Sequence, residues 1–197
     1  RKNSLERINL SNTHGVNTLQ EYGVYLELCD KIVDVDISNS DVTSLSLPAT
    51  ALQSLRVYNS NITSFTLRNQ NIISDIILDG CNRLYTVDIS NCSAISSLTI
   101  SDKSNLSSIS VSNCPNLSAI TIERNEVIST ITLSNNIGLK KITIRDCESN
   151  NLSVSIYGSR LENVNFTNLS ETNGVITLPE RSMCASITSF TLSNCYR

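Results

Sequence analysis

Two acidic pairs are the residues of this chain whose type and spacing could most directly do chemistry: Asp34 with Asp36, and Asp75 with Asp79. Paired carboxylates can work as acid and base, or hold calcium. Alternation along a strand would put Asp34 and Asp36 on one outer face, where a solvated sheet surface is the plainer expectation. The repeated Gly and Asp of calcium-binding nonapeptides are absent. The single histidine, His14, lies in "SNTHGVNTLQEYG" with no cysteine or serine that spacing would make its partner, and reads as a loop residue. Six glycines in 197 residues leave no glycine-rich phosphate loop. Asn61, Asn105 and Asn116 open Asn-x-Ser/Thr triplets that meet the glycosylation rule, but such triplets fall out of a repeat rich in Asn and Ser. No cofactor and no metal is expected.

The seven cysteines are an odd number, which argues against a fully paired disulfide framework. Cys81, Cys92, Cys114, Cys147 and Cys195 are spaced by eleven residues or more. They lack the close pairs typical of zinc sites and read as small buried hydrophobes.

The elements that must carry these residues follow from a repeat. The pattern Leu-x-x-Leu-x-Leu-x-x-Asn/Cys, with Leu standing for any aliphatic residue or Phe, starts at Ile32, Val42, Leu52, Ile62, Ile73, Leu84, Ile95, Leu106, Leu117, Ile128 and Leu139. Fainter copies run from 151 to 195. Positions four and six are apolar around a polar fifth, as in Ile109-Ser110-Val111, so each unit predicts a short strand and a turn. Apolar residues three, two and five apart do not keep to one helix face. Eleven residues are too few to turn around three aliphatic side chains, so two units should make one coil. The expected fold is an all-β repeat solenoid, a parallel β stack with two short strands per 21–22-residue coil. Some seven coils would make a rod of roughly 35 Å. In such a stack Cys92 and Cys114 would come within disulfide reach, so a bridge between them stays open. Residues at position nine would point inward and satisfy backbone groups at the turn.

"LSSISVSNC", "LYTVDISNC", "LKKITIRDC" and "ITSFTLSNC" resemble the strand-forming segment of leucine-rich repeats. The nested spacing is similar to that of the short bacterial class, known from surface and secreted proteins of Bacteroidetes-like bacteria. The resemblance is strong over 32–150, and the chain departs from ordinary leucine-rich repeats in lacking a longer helical half. It implies a non-enzymatic recognition or adhesion module, outside a bacterium or on its surface, with a protein or surface ligand as partner. A structural segment of a virion appendage is the alternative, and an ice-binding solenoid carrying Thr66, Thr99, Thr121, Thr132 and Thr143 is a weaker one.

The chain reads as a single solenoid domain over 1–197, irregular at 11–31 and less regular at 148–186. Leu5, Ile8 and Leu10 already fit the repeat, and "SFTLSNCYR" fits it at the other end, so both termini read as cuts inside a longer polypeptide. A net charge of −3 with 17% charged residues points away from nucleic acid. No apolar run approaches eighteen residues, so no membrane insertion is expected.

If successive units face opposite ways, the outward residues separate into two populations. Ser44, Ser46, Ser64, Thr66, Thr86, Asp88, Ser108, Ser110, Thr130 and Thr132 would form a wall of hydroxyls. Asp34, Asp36, Arg56, Tyr58, Asp75, Asp79, Glu123, Lys141 and Arg145 would form a mixed-charge face. Charged and aromatic residues make specific contacts, whereas short hydroxyls make a bland soluble surface. The nine residues of the charged face are therefore the candidate partner-binding set.

Overall fold

A computed structural model describes residues 5–15, 22–48, 52–149, 151–169, 175–180 and 184–195. In chain order the strands of the first half are β1 (Arg7–Asn9), β2 (Tyr22–Tyr25), β3 (Asp34–Asp36), β4 (Val42–Ser46), β5 (Ser54–Arg56), β6 (Ser64–Arg68), β7 (Thr86–Ser90) and β8 (Ser97–Ser101). Those of the second half are β9 (Ser108–Ser112), β10 (Ala119–Glu123), β11 (Thr130–Ser134), β12 (Lys141–Cys147), β13 (Ser153–Tyr157), β14 (Asn163–Leu169), β15 (Ile176–Thr177) and β16 (Ser189–Ser193). One turn of 3₁₀ helix, Cys184–Ser186, is the only helix among the described residues.

Every ladder is parallel, and consecutive units go to opposite sides of the coil. One side carries β1-β3-β5 and β8-β10-β12-β14-β16; the other carries β2-β4 and β6-β7-β9-β11-β13-β15. We call these the charged face and the hydroxyl face. Through the middle of the stack the register advances by one coil every 22 residues, as in Ser97↔Ala119 and Ala119↔Lys141. The charged face climbs through nine levels, counting the segment around Asp75–Asp79, where about seven coils were expected. Part of the difference arises at the N-terminal end, where β1, ahead of the units counted from Ile32, adds a level in register with β3.

The core is the set of unit positions one, four and six. Leu106, Ile109 and Val111 are buried on one side, and Leu117, Ile120 and Ile122 on the other. Each such side chain contributes about 1.5–3 kcal/mol by leaving water, and no single coil could enclose its own. Outward positions three and five alternate with them, which gives the buried–half-buried rhythm of β7, β9 and β11.

Position nine points inward as expected. Cys81, Cys92, Cys114, Cys147, Asn125 and Asn136 are all fully buried. Asn136 shows why an amide suits this place: its Oδ1 accepts the Cys114 N–H at 2.9 Å and its Nδ2 donates to the Val111 carbonyl at 2.9 Å. Gln70 does the same over a longer reach, accepting the Leu52 N–H at 2.7 Å and donating to the Pro48 carbonyl at 3.1 Å. All seven cysteines are free thiols, so no bridge joins Cys92 to Cys114. The hydrogen bond between these two thiols and their burial push the Cys92 thiol up.

The turn itself is made at position eight. Every described residue with positive φ sits there: Asn39, Asn59, Asn69, Asn91, Asn113, Asn135 and their equivalents, Asp102 and Asp146, Gly80 and Gly158, and Arg124. Left-handed backbone costs most L-residues about 1–2 kcal/mol, and Asn, Asp and Gly are the residues that tolerate it. Stacked asparagines also bond along the column, as Asn59 Nδ2 to Asn39 Oδ1 at 2.9 Å and Asn91 Nδ2 to Asn69 Oδ1 at 3.0 Å.

The stack is regular except near two levels. No ladder joins β4 to β6, and none of the strands covers the unit that begins at Ile73. Around that unit the charged face divides into a lower sheet of three strands and an upper sheet of five.

Candidate recognition face

All nine candidate residues lie on the charged face, at unit positions three, five and seven, but they do not form one continuous patch. They fall into three groups. Asp34, Asp36, Arg56 and Tyr58 lie on or next to β3 and β5, Asp75 and Asp79 lie in the unit without a strand, and Glu123, Lys141 and Arg145 lie on β10 and β12. Three coils separate Arg56 from Glu123, about 14 Å along the stack.

Within the first group the charges satisfy one another. Arg56 Nε lies 2.8 Å from Asp36 Oδ2 and its Nη2 3.3 Å from Asp34 Oδ1. Asp36 is nearly buried and also accepts from Ser38, through Oγ at 2.6 Å and N–H at 3.0 Å. Burial pushes its carboxyl up, but the hydrogen bonds from Ser38 and Arg56 outweigh burial and hold it below the usual range. The first acidic pair is thus a closed ion cluster and not a pair of solvated carboxylates. Asp75 and Asp79, by contrast, are exposed.

In the third group Glu123 is nearly buried and bridges two arginines, Arg124 through Oε1 at 2.7 Å and Arg145 through Oε2, which accepts the Nε–H at 2.6 Å. Lys141 is exposed and forms no ion pair among the described residues. Above it, the short side chains of Thr121, Thr143, Asn165 and Thr191 form the floor of a depression of about 560 Å³, with Lys141 and Arg145 on its wall. The register that builds this floor is Thr99↔Thr121↔Thr143↔Asn165↔Thr191. Asn165 Oδ1, buried beneath it, accepts no hydrogen bond.

Three charged residues of this region lay outside the candidate set: Asp102, Arg124 and Asp146. They occupy position eight, where the other described units carry Asn or Gly. Arg124 grips Asp102 with Nε to Oδ1 at 2.6 Å and Nη2 to Oδ2 at 2.9 Å. That grip, followed by a hydrogen bond from Ser101, holds the Asp102 carboxyl down at about 2. One coil further, Asp146 Oδ1 accepts from Asn168 Nδ2 at 2.6 Å. The readable signal was an arginine in a column of asparagines. Lys103, buried at position nine where most other units have Cys, Asn, Ser or Gln, was missed for the same reason.

No family model matches the chain, and neither a curated protein nor a solved structure matches it. The reading of the site therefore rests on geometry.

His14 does have a partner: its Nδ1 lies 3.6 Å from Asp41 Oδ1. Asp41 is held in turn by the Gly15 N–H at 2.9 Å and Asn61 Nδ2 at 3.0 Å. The hydroxyls nearest in sequence are committed to backbone, Thr13 Oγ1 to the Leu10 carbonyl and Ser40 Oγ to the Ile37 carbonyl. Among the described residues no three of His, Cys, Asp or Glu are grouped to hold a metal ion, and no helix is long and apolar enough to cross a membrane.

Proposed function

We propose that this chain is a non-enzymatic recognition module of the leucine-rich-repeat kind, presented outside a bacterium or on its surface, and that its charged face makes the contact with a protein or surface ligand. The observation that carries this reading is the segregation of chemistry by face. Glu123, Lys141, Arg145 and the Arg56 cluster sit on one side, while the ladder of β6, β7, β9, β11 and β13 shows mainly Ser and Thr outward, with a single ion pair, Arg68 to Asp88, among its described residues. A stack that only filled space would gain nothing from dividing its charge in this way. The mutual ion pairs fix the arginines in place, so a partner meets a preorganised surface and little side-chain freedom is lost on binding.

The test is to screen the purified chain against arrays of extracellular proteins and glycans, alongside Lys141→Glu and Thr132→Glu, with folding checked by circular dichroism. The reading predicts binders that Lys141→Glu loses and Thr132→Glu keeps. No binder at all, or loss confined to Thr132→Glu, would contradict it; the first of these results would favour a structural segment of a larger appendage.

A further inference from the structure

We infer that the depression on the charged face over β10, β12 and β14 is a subsite for an acidic polysaccharide, with a uronate carboxylate at Lys141 and sugar hydroxyls on the threonine and asparagine floor. This deepens the recognition reading above and rests on it.

Three observations carry the inference. Among the described residues Lys141 is the one cation on the wall without a counter-ion, since Arg145 spends Nε and Nη2 on Glu123. An exposed ammonium beside a set of polar groups selects an anion, and a carboxylate answers it with a charge-assisted hydrogen bond. Secondly, the depression is lined by groups that both donate and accept: the Thr121, Thr143 and Thr191 hydroxyls of the floor and the Asn163 amide beside Lys141. Sugar hydroxyls have the same double character, and the floor repeats every coil, about 4.8 Å. Thirdly, Asn165 Oδ1 is a buried acceptor with no donor among the described residues. The amide can therefore turn toward the depression and accept from a ligand hydroxyl without breaking any hydrogen bond of its own oxygen.

A peptide suits the site less well. Its usual way onto a sheet is to add a strand at an edge, but here the backbone groups of β12 are taken on both sides by β10 and β14. Its other anchors are apolar side chains in pockets, and the floor offers none, because Ile142 and Val164 point into the core.

The experiment is affinity electrophoresis of the purified chain in gels containing polygalacturonate, alginate, neutral dextran or polyglutamate. Retardation by a uronate polymer, without retardation by dextran, is expected. Lys141→Ala should weaken it roughly tenfold. Asn165→Leu should also weaken it while leaving the melting temperature unchanged or raised, which a purely structural asparagine would not do. Thr132→Ala, on the hydroxyl face, should bind as the wild type does. Polyglutamate binding as tight as uronate binding, equal retardation by dextran, or no retardation by any uronate polymer would overturn the inference. If uronates fail while array binders still depend on Lys141, the charged face remains the recognition surface and only its ligand class is wrong.

Discussion

Arg124 Nε lies 2.6 Å from Asp102 Oδ1 and Arg124 Nη2 lies 2.9 Å from Asp102 Oδ2, a two-pronged pair between the eighth positions of successive coils. Arg124 makes it from left-handed backbone, φ 52°, and is the one described residue of positive φ that is not Asn, Asp or Gly. An unfavourable backbone conformation is thus held beside a solvent-exposed pair that adds little to stability. Arg124→Gly removes the strain and the pair together and is expected to leave the urea midpoint nearly unchanged. Arg124→Val keeps the strain, loses the pair, and should cost more than Arg124→Gly in urea melts; the reverse order would contradict the assignment.

The same logic applies to the ordinary turns. Asn113 has φ 54°, so Asn113→Gly should be nearly neutral, while Asn113→Val should lose about 1–2 kcal/mol. Equal losses from the two would mean that the side-chain ladder, and not the backbone conformation, selects asparagine at position eight.

Position nine makes a larger prediction. Asn136 is fully buried and bonds the Cys114 N–H and the Val111 carbonyl. Asn136→Ala strands two buried backbone groups, and a loss of about 2–4 kcal/mol is expected. Asn136→Cys should cost less, since Cys114 fills the equivalent place one coil below. Denaturant midpoints measure both.

The strand phase is tested by neighbours. Ile109 is buried, whereas Ser110 faces outward opposite Asp88. Ile109→Asp puts an unpaired charge inside the stack and should unfold several coils, while Ser110→Lys, beside the Asp88 carboxylate, should stay within a fraction of a kcal/mol. Circular dichroism separates the two outcomes.

Acid should weaken the fold in a defined window. Asp36 and Asp102 both have carboxyls held below their ordinary values in the folded state. Their contribution is therefore complete above about pH 4, where the unfolded carboxyl is ionised. It is lost as pH falls through the folded values, for Asp102 toward about 2. Asp36→Asn should lower the urea midpoint at neutral pH and flatten its fall below about pH 4; a slope as steep as that of the wild type would contradict this. The Asp102 effect should be the smaller, because its side chain is 57% exposed.

Much of this architecture was legible in the spacing alone. Units such as Leu106–Cys114 announce a strand through period-two alternation, and their eleven-residue repeat, too short to close on itself, announces two strands per coil. That alternation sorted the outward residues onto the correct faces. Three features were less legible. Position eight repeats as faithfully as position nine, but its meaning is a backbone angle, not a burial pattern, so Asp102, Arg124 and Asp146 fell outside the candidate set. Asp36 looked solvated because alternation places it outward, yet Arg56, twenty residues later, arrives in register one coil up and closes over it. The loss of a strand around Ile76 was not readable either, since "NIISDIILDGC" keeps the repeat while Ile77 takes an outward place usually held by Ser or Thr.

Everything said of the two faces depends on successive units pointing in opposite directions. Spin labels on unnatural residues placed at 110 and 132, and separately at 110 and 121, test this directly. Ser110 is the register partner of Thr132, so the first pair should sit one coil apart, about 5 Å at the backbone, and show strong dipolar broadening. Thr121 belongs to the opposite sheet, so the second pair should lie well beyond the roughly 10 Å that separates stacked sheets and show none. Broadening in the 110/121 pair equal to that in the 110/132 pair would contradict the account.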